Sequence, residues 1–199
     1  MKFINWIRQW VKPMTLAEKQ AVIAELTEAA SPGFDFFLLV ILSGTIATMG
    51  LITNSAAVII GAMLLAPLMS PIIGIGMASI TGDSNKLKKS VSALLRGAAL
   101  AIALSFLVTL VNSYMPIISL QELPQEVLSR TRPTPLDLGI ALAGGIAAAY
   151  ALTQPNLSAA LPGVAIATAL MPPLCTVGIG MAVGRWDVAG GAALLFLTN

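Results

Sequence analysis

The sequence predicts an all-α protein, a polytopic membrane helix bundle of about six spans built from two inverted three-helix repeats with Pro-broken central helices. Three observations lead there. Of the 199 residues, 57% are hydrophobic and only 10% charged, and the mean hydropathy is +0.88. Soluble domains carry about 25% charged residues, and a surface so poor in ions suits lipid, which excludes charge. Second, the apolar residues fall in stretches near the roughly 20 residues that a helix needs to cross the hydrocarbon. Third, landmarks of the first half recur in the second.

Composition also excludes functions. Cys175 is the single cysteine, so no disulfide can close within the chain. There is no histidine, which removes the commonest general base and metal ligand. The reading is therefore of a protein that is not an enzyme and takes no cofactor or metal. A net charge of +2 is too small to argue for nucleic acid. No signal peptide is evident, because the amphipathic start keeps acids nearby and lacks a small-residue cleavage site.

The elements follow in order. Residues 1–30 read as amphipathic interfacial or cytoplasmic helices. In 1–12, Phe3, Trp6, Ile7, Trp10 and Val11 share one face, which suits a helix lying among lipid headgroups. Pro13 ends it. Thr15-Leu16-Ala17-Glu18 is a capping box that opens a second helix to about Ala30, with Leu16, Ile23 and Leu26 free to pack on the membrane domain. Ordinary amphipathic packing, with no function of its own, is the favoured reading of both.

Residues 31–112 form the first membrane repeat. Ser31-Pro32-Gly33 breaks the chain, and Asp35 is a candidate cap for helix one, 36–53. Residues 55–81 form a second apolar stretch interrupted by Pro67 and Pro71. A polar loop at 82–90 carries Lys86, Lys88 and Lys89. Helix three spans 91–112, with Arg96 about a turn and a half inside it. The extramembrane connector, 113–135, holds a short surface helix near 124–130 with Pro124 in its first turn. Residues 136–199 form the second repeat. Asp137 opens helix four, which runs to about Leu152. Helix five, 156–184, is broken by Pro162 and by Pro172-Pro173. Arg185-Trp186-Asp187 is a polar turn, and helix six starts near Val188. It ends at Asn199 with too few residues to cross comfortably, as expected of a chain cut inside a longer protein.

The repeat rests on particular matches. Asn54-Ser55-Ala56-Ala57 answers Asn156-Leu157-Ser158-Ala159-Ala160, Gly61 answers Gly163, and Gly74-Ile75-Gly76-Met77-Ala78 recurs as Gly178-Ile179-Gly180-Met181-Ala182. Pro67 and Pro71 answer Pro172 and Pro173 approximately. If each broken stretch crosses fully, the N-terminus and Lys86, Lys88 and Lys89 share the cytoplasmic side, leaving Arg130, Arg132 and Arg185 outside. That obeys the positive-inside rule; re-entrant stretches would not. Three crossings per repeat invert the second copy, and paired broken segments in inverted halves are the pattern of a transporter site near the midplane.

Proline frees backbone groups, and in lipid those must find partners. Candidate solute-binding residues are therefore the polar ones beside the breaks: Asn54, Ser55, Ser70, Asn156, Ser158 and Thr176. Each also has a plain structural reading, as a helix cap or as a hydroxyl that satisfies a kink. Arg96 either meets an anionic solute or, the favoured reading, snorkels to the cytoplasmic surface. No Asp or Glu falls deep in a span, so a carboxylate proton relay is not supported. Cys175 and the methionines read as packing.

Three stretches, "TNSAAVIIGAMLLAPLMSPIIGIGMA", "SRTRPTPLDLGIALAGGIAAAYAL" and "LPGVAIATALMPPLCTVGIGMA", carry a family resemblance. The chain resembles, over about residues 31–199, the prokaryotic "uncharacterised hydrophobic domain" family, a domain of unknown function of bacterial and archaeal membrane proteins. The resemblance implies a multi-pass inner-membrane protein, and a helix six that continues past the "LLFLTN" ending. It brings no catalytic or binding residues. Two functions follow as expectations. One is a transporter or channel for a small polar or anionic solute, lying in the lipid bilayer as a homo-oligomer, N-terminus cytoplasmic. The other is a non-transporting scaffold or sensor that binds lipid or a soluble partner.

Overall fold

A computed structural model describes residues 33–114, 122–152 and 170–199. Among these residues the regular structure is α-helical throughout. The elements are α1 (Phe34–Ile52), α2 (Ala56–Leu65), α3 (Met69–Thr81), α4 (Ser84–Tyr114), α5 (Gln125–Leu128), α6 (Pro135–Leu152), α7 (Met171–Ala182) and α8 (Trp186–Thr198). The expected helices of 1–30 and the break at Pro162 lie outside the described residues.

Helix α1 begins after Gly33, and no side chain caps it. Asp35 is therefore not the cap; it stands in the first turn, where a carboxylate still favours the positive end of the helix. The helix stops in a Schellman turn. The Ser55 N–H reaches the Gly50 carbonyl (2.8 Å), the Asn54 N–H reaches that of Leu51 (3.3 Å), and Asn54 takes the left-handed conformation with φ 55°.

Helices α2 and α3 bend by 49° across Ala66-Pro67-Leu68. Pro67 supplies the break: it cannot donate, and it pushes Ala66 into extended backbone (φ −72°, ψ 119°). Pro71 does not break anything. It lies in the first turn of α3, where a backbone N–H has no helical acceptor to lose. Pro172 and Pro173 likewise occupy the first turn of a helix, α7. The two half-helices start alike, as Leu68-Met69-Ser70-Pro71 and Leu170-Met171-Pro172-Pro173, so Pro71 pairs with Pro173.

The expected polar loop at 82–90 is a two-residue joint. Gly82 (φ 68°) closes α3, and the Asp83 N–H bonds the Ala78 carbonyl (3.1 Å). Asp83 then accepts from the N–H groups of Asn85 and Lys86, both at 3.1 Å, and starts α4. Those bonds hold its carboxyl below the usual carboxylate range. Lys86, Lys88 and Lys89 thus ride the first turns of a helix of 31 residues, about 46 Å long.

Helices α1 and α4 run in the same direction. A Cβ built at Gly97 would stand 3.0 Å from Phe36 Cζ, and one at Gly44 would stand 3.4 Å from Leu104 Cδ2. The α2–α3 pair carries the chain back: Ile59 packs at Gly50 near the end of α1, and Leu68 packs at Gly97. Helix α7 takes the centre, with ten of its 12 residues buried. It ends in a second Schellman turn at Gly184 (φ 72°), where the Arg185 N–H bonds the Gly180 carbonyl (2.8 Å).

Helix α5 is shorter than expected, and Pro124 precedes it as the N-cap rather than entering its first turn. It is not merely a surface helix, because Val127 is fully buried. Asp137 does not open α6 alone. Its carboxylate accepts from the Thr134 N–H (2.6 Å) and hydroxyl (2.7 Å), leaving Pro135 to begin the helix.

Along the middle of α1 and along α4, size rather than polarity sorts the faces. On α1, Ser43, Gly44, Ala47 and Thr48 are buried while Leu38, Leu42 and Met49 are exposed. On α4, Gly97, Ala101, Ser105 and Thr109 face inward while Leu95, Leu107 and Val111 face out. Small residues let backbones approach. Helices α1 and α4 are long and apolar enough to cross a membrane, and the bent α2–α3 pair makes a third span if taken as one.

Candidate functional site

The structure disperses most of the expected solute ligands. Asn54 is exposed, and its Oδ1 accepts the Glu126 N–H at 3.0 Å, capping α5. It is a structural residue twice over, in its own backbone turn and in the cap. Alanine at 54 is expected to cost about 2 kcal/mol, the sum of a left-handed backbone and a lost cap. Glycine keeps the turn and is expected to cost about 1 kcal/mol or less. Unfolding in mixed micelles measures both, and glycine proving the worse of the two would refute this role.

Ser55 is half-buried at the N-cap position of α2, without a side-chain cap bond. Ser70 is half-buried in the first turn of α3. Arg96 is exposed on the outward face of α4, whereas Gly97, Ala101 and Ser105 face the interior. It is not brought into the bundle. Asn156 and Ser158 lie outside the described residues.

Among the described residues, Thr176 alone of the expected ligands sits at the centre. It is fully buried on α7, and its hydroxyl has no hydrogen-bond partner among the described residues. Around this part of α7 runs a buried polar seam contributed by α1 and α4. Ser105 donates to the Cys175 carbonyl (2.7 Å), and the Cys175 thiol lies 3.6 Å from the Gly44 carbonyl. Other buried hydroxyls bond back one turn along their own helices: Ser43 to Leu39 (2.6 Å), Thr48 to Gly44 (2.7 Å) and Thr109 to Ser105 (2.8 Å). The carbonyl one turn before Thr176 belongs to Pro172, and the Thr176 hydroxyl does not use it.

Ser43, Thr48, Ser105 and Thr109 were not among the residues singled out from sequence. Their signal was present as small or polar residues at every fourth position, Gly97-Ala101-Ser105-Thr109 on α4 and Gly44-Thr48 on α1. The proline breaks drew the eye elsewhere. Leu68, at the α2–α3 break, meets α4 at Gly97, while Cys175 meets it at Ser105.

A second concave feature lies at the connector. A cavity of about 450 Å³ is lined by Leu128, Thr131, Arg132, Arg185, Asp187 and Val188. The Arg185 guanidinium grips Asp187 with two parallel bonds of 2.9 and 2.7 Å. The exchange lowers the Asp187 carboxyl to about 2 and raises the Arg185 guanidinium. Arg130 turns to Glu126 (3.4 Å); burial lowers its pKa, and its Nε is buried without a partner. Gly191 of α8 lies against the Thr131 carbonyl, holding the connector on that helix.

Comparison with known proteins places the chain. A family model described as a domain of unknown function, DUF389, matches residues 63–199. The uncharacterized protein MJ0678 of Methanocaldococcus jannaschii is 34% identical over 162 residues, covering 81% of this chain and 48% of that protein. The chain therefore spans about half the length of this curated relative. No solved structure matches it. With more than half of its residues under the family model, the chain belongs to the DUF389 family.

Proposed function

We propose that this is an integral inner-membrane protein that passes a small polar or anionic solute, with its selective contact in the seam between α1, α4 and α7. The observation that carries the reading is Thr176. A hydroxyl with no partner, fully buried in an apolar bundle, costs free energy in the resting protein and is ready to bind what enters. The apolar outward faces of α1 and α4 support the membrane. The parallel course of α1 and α4 supports a first repeat of three crossings. With Lys86, Lys88 and Lys89 at the start of α4, the positive-inside rule puts that end and the N-terminus in the cytoplasm. An inverted second repeat of α6, α7 and α8, six spans in all, completes the proposal by analogy with transporter folds.

The experiment is flux into proteoliposomes, across a panel of small anions, cations, nucleosides and amino acids, with wild type and Thr176→Val. Valine keeps the shape and removes the orphan hydroxyl, so thermal stability is expected to rise by about 1 kcal/mol while flux falls at least tenfold. Undiminished flux in Thr176→Val would dismiss the seam as the site. No flux of any solute through folded wild type would leave the scaffold or sensor. That second reading draws on Gly178, whose α-carbon is pressed so closely to the α4 backbone that no side chain fits between them.

A further inference from the structure

We infer that the cavity between the connector and the α7–α8 turn binds a phosphate-type oxyanion. Its walls come from two distant segments, Leu128, Thr131 and Arg132 on one side and Arg185, Asp187 and Val188 on the other. At about 450 Å³ it falls in the size range of small-molecule sites. Two guanidinium groups face one carboxylate, so the pocket carries an excess positive charge. Arg132 is exposed and forms no ion pair among the described residues. Arg130, two residues earlier, is paired with Glu126 and does not line the cavity.

The Arg185–Asp187 pair shows what the pocket fits. A fork of two parallel bonds is how arginine takes a planar or tetrahedral oxyanion, and Asp187 occupies that fork in the resting protein. It is an internal competitor for the ligand. The α8 N-terminus opens at Arg185 on the same edge, with Asp187 in its first turn. The Thr131 hydroxyl already donates to the Leu128 carbonyl (2.7 Å), so it serves as wall and not as donor. The distribution of charge is also informative. The basic residues of the described chain divide between the lysine end of α4, with Arg96, and this one pocket region. Cations opposite a lysine-bearing face run against the usual bias, and here they converge. The inference stands whether or not the seam conducts.

The test uses the full-length protein in neutral phosphatidylcholine nanodiscs, titrated calorimetrically with inorganic phosphate. Arg132→Gln, an exposed change that leaves packing alone, is expected to weaken phosphate binding about tenfold. Asp187→Asn is expected to tighten it severalfold, because it releases the Arg185 fork. Lys88→Gln, at the far end of α4, serves as the unchanged control. A parallel arm replaces phosphate by nanodiscs containing phosphatidylglycerol and reads thermal stabilisation. The same opposed pattern in that arm alone assigns the site to a lipid headgroup, and in the phosphate arm to a soluble ligand. Either arm supports the inference. Binding in neither arm, or binding indifferent to Arg132→Gln, overturns it, as does Asp187→Asn weakening binding in a protein whose unfolding midpoint is unchanged.

Discussion

Alanine at Gly178 is expected to destabilise the folded protein by about 3 kcal/mol, at the upper end of overpacking costs. A Cβ there would lie 2.5 Å from the Ile102 carbonyl oxygen, 2.8 Å from the Phe106 nitrogen and 2.8 Å from Ser105 Cβ. Two of these are backbone atoms inside a helix, so relief requires α4 and α7 to separate. Separation would also stretch the bond from Ser105 to the Cys175 carbonyl. Two controls make the result specific. At Gly97 the neighbours are the ends of Leu68 and Phe36, at 3.0 Å each, and side-chain ends can yield; about 1 kcal/mol is expected. At Gly76, in the copy of the same five-residue block, nothing lies within 4 Å, so alanine should be neutral or gain from helix propensity. Reversible unfolding in mixed micelles would rank the three, and Gly178→Ala matching Gly76→Ala would show that α7 does not dock on α4 in this register.

Removing the Phe36 ring is expected to cost about 2–3 kcal/mol. Phe36 is 5% exposed, meets Phe37 edge-on with ring centres 5.3 Å apart, and lies beside Gly97 of α4. In a soluble core, Phe→Ala costs about 3–5 kcal/mol, part of it transfer from water. In the membrane setting proposed above the transfer part shrinks, because lipid tails are as apolar as the core. What remains is the void and its lost dispersion contacts. Phe36→Leu should recover most of the loss. The same micelle unfolding assay decides, and a Phe36→Ala loss below about 0.5 kcal/mol, the scale of a surface change, would mean that the ring does not pin α1 to α4.

Much of the helical plan was legible. Helix one, read at 36–53, runs Phe34–Ile52, and helix four, read from Asp137, is helical from Pro135. The start of α4 was misjudged by seven residues because Lys86, Lys88 and Lys89 were read as loop. Lysine is a good helix former, and the true boundary is the stop-and-start of Gly82 and Asp83. The prolines were misread for a related reason. A proline near a break can end one helix, as Pro67 does, or begin the next, as Pro71 and Pro173 do, and local spacing does not distinguish the two. Of the expected ligands, Thr176 lies buried at the centre and Asn54 caps α5. An asparagine before a helix looks the same whether its amide awaits a solute or caps a segment 72 residues away.

By itself the sequence determined the helices and the apolar character of the long ones, because hydropathy and turn chemistry act over a few neighbouring residues. It did not determine which face of each helix turns inward. A helix apolar all round has no polar side to declare, and lipid and core reward apolar side chains equally. Tertiary structure decided that matter through size. Gly178 could be crossed only by backbone, Ser105 could reach a carbonyl 70 residues away, and Thr176 was carried to the centre with nothing to bond.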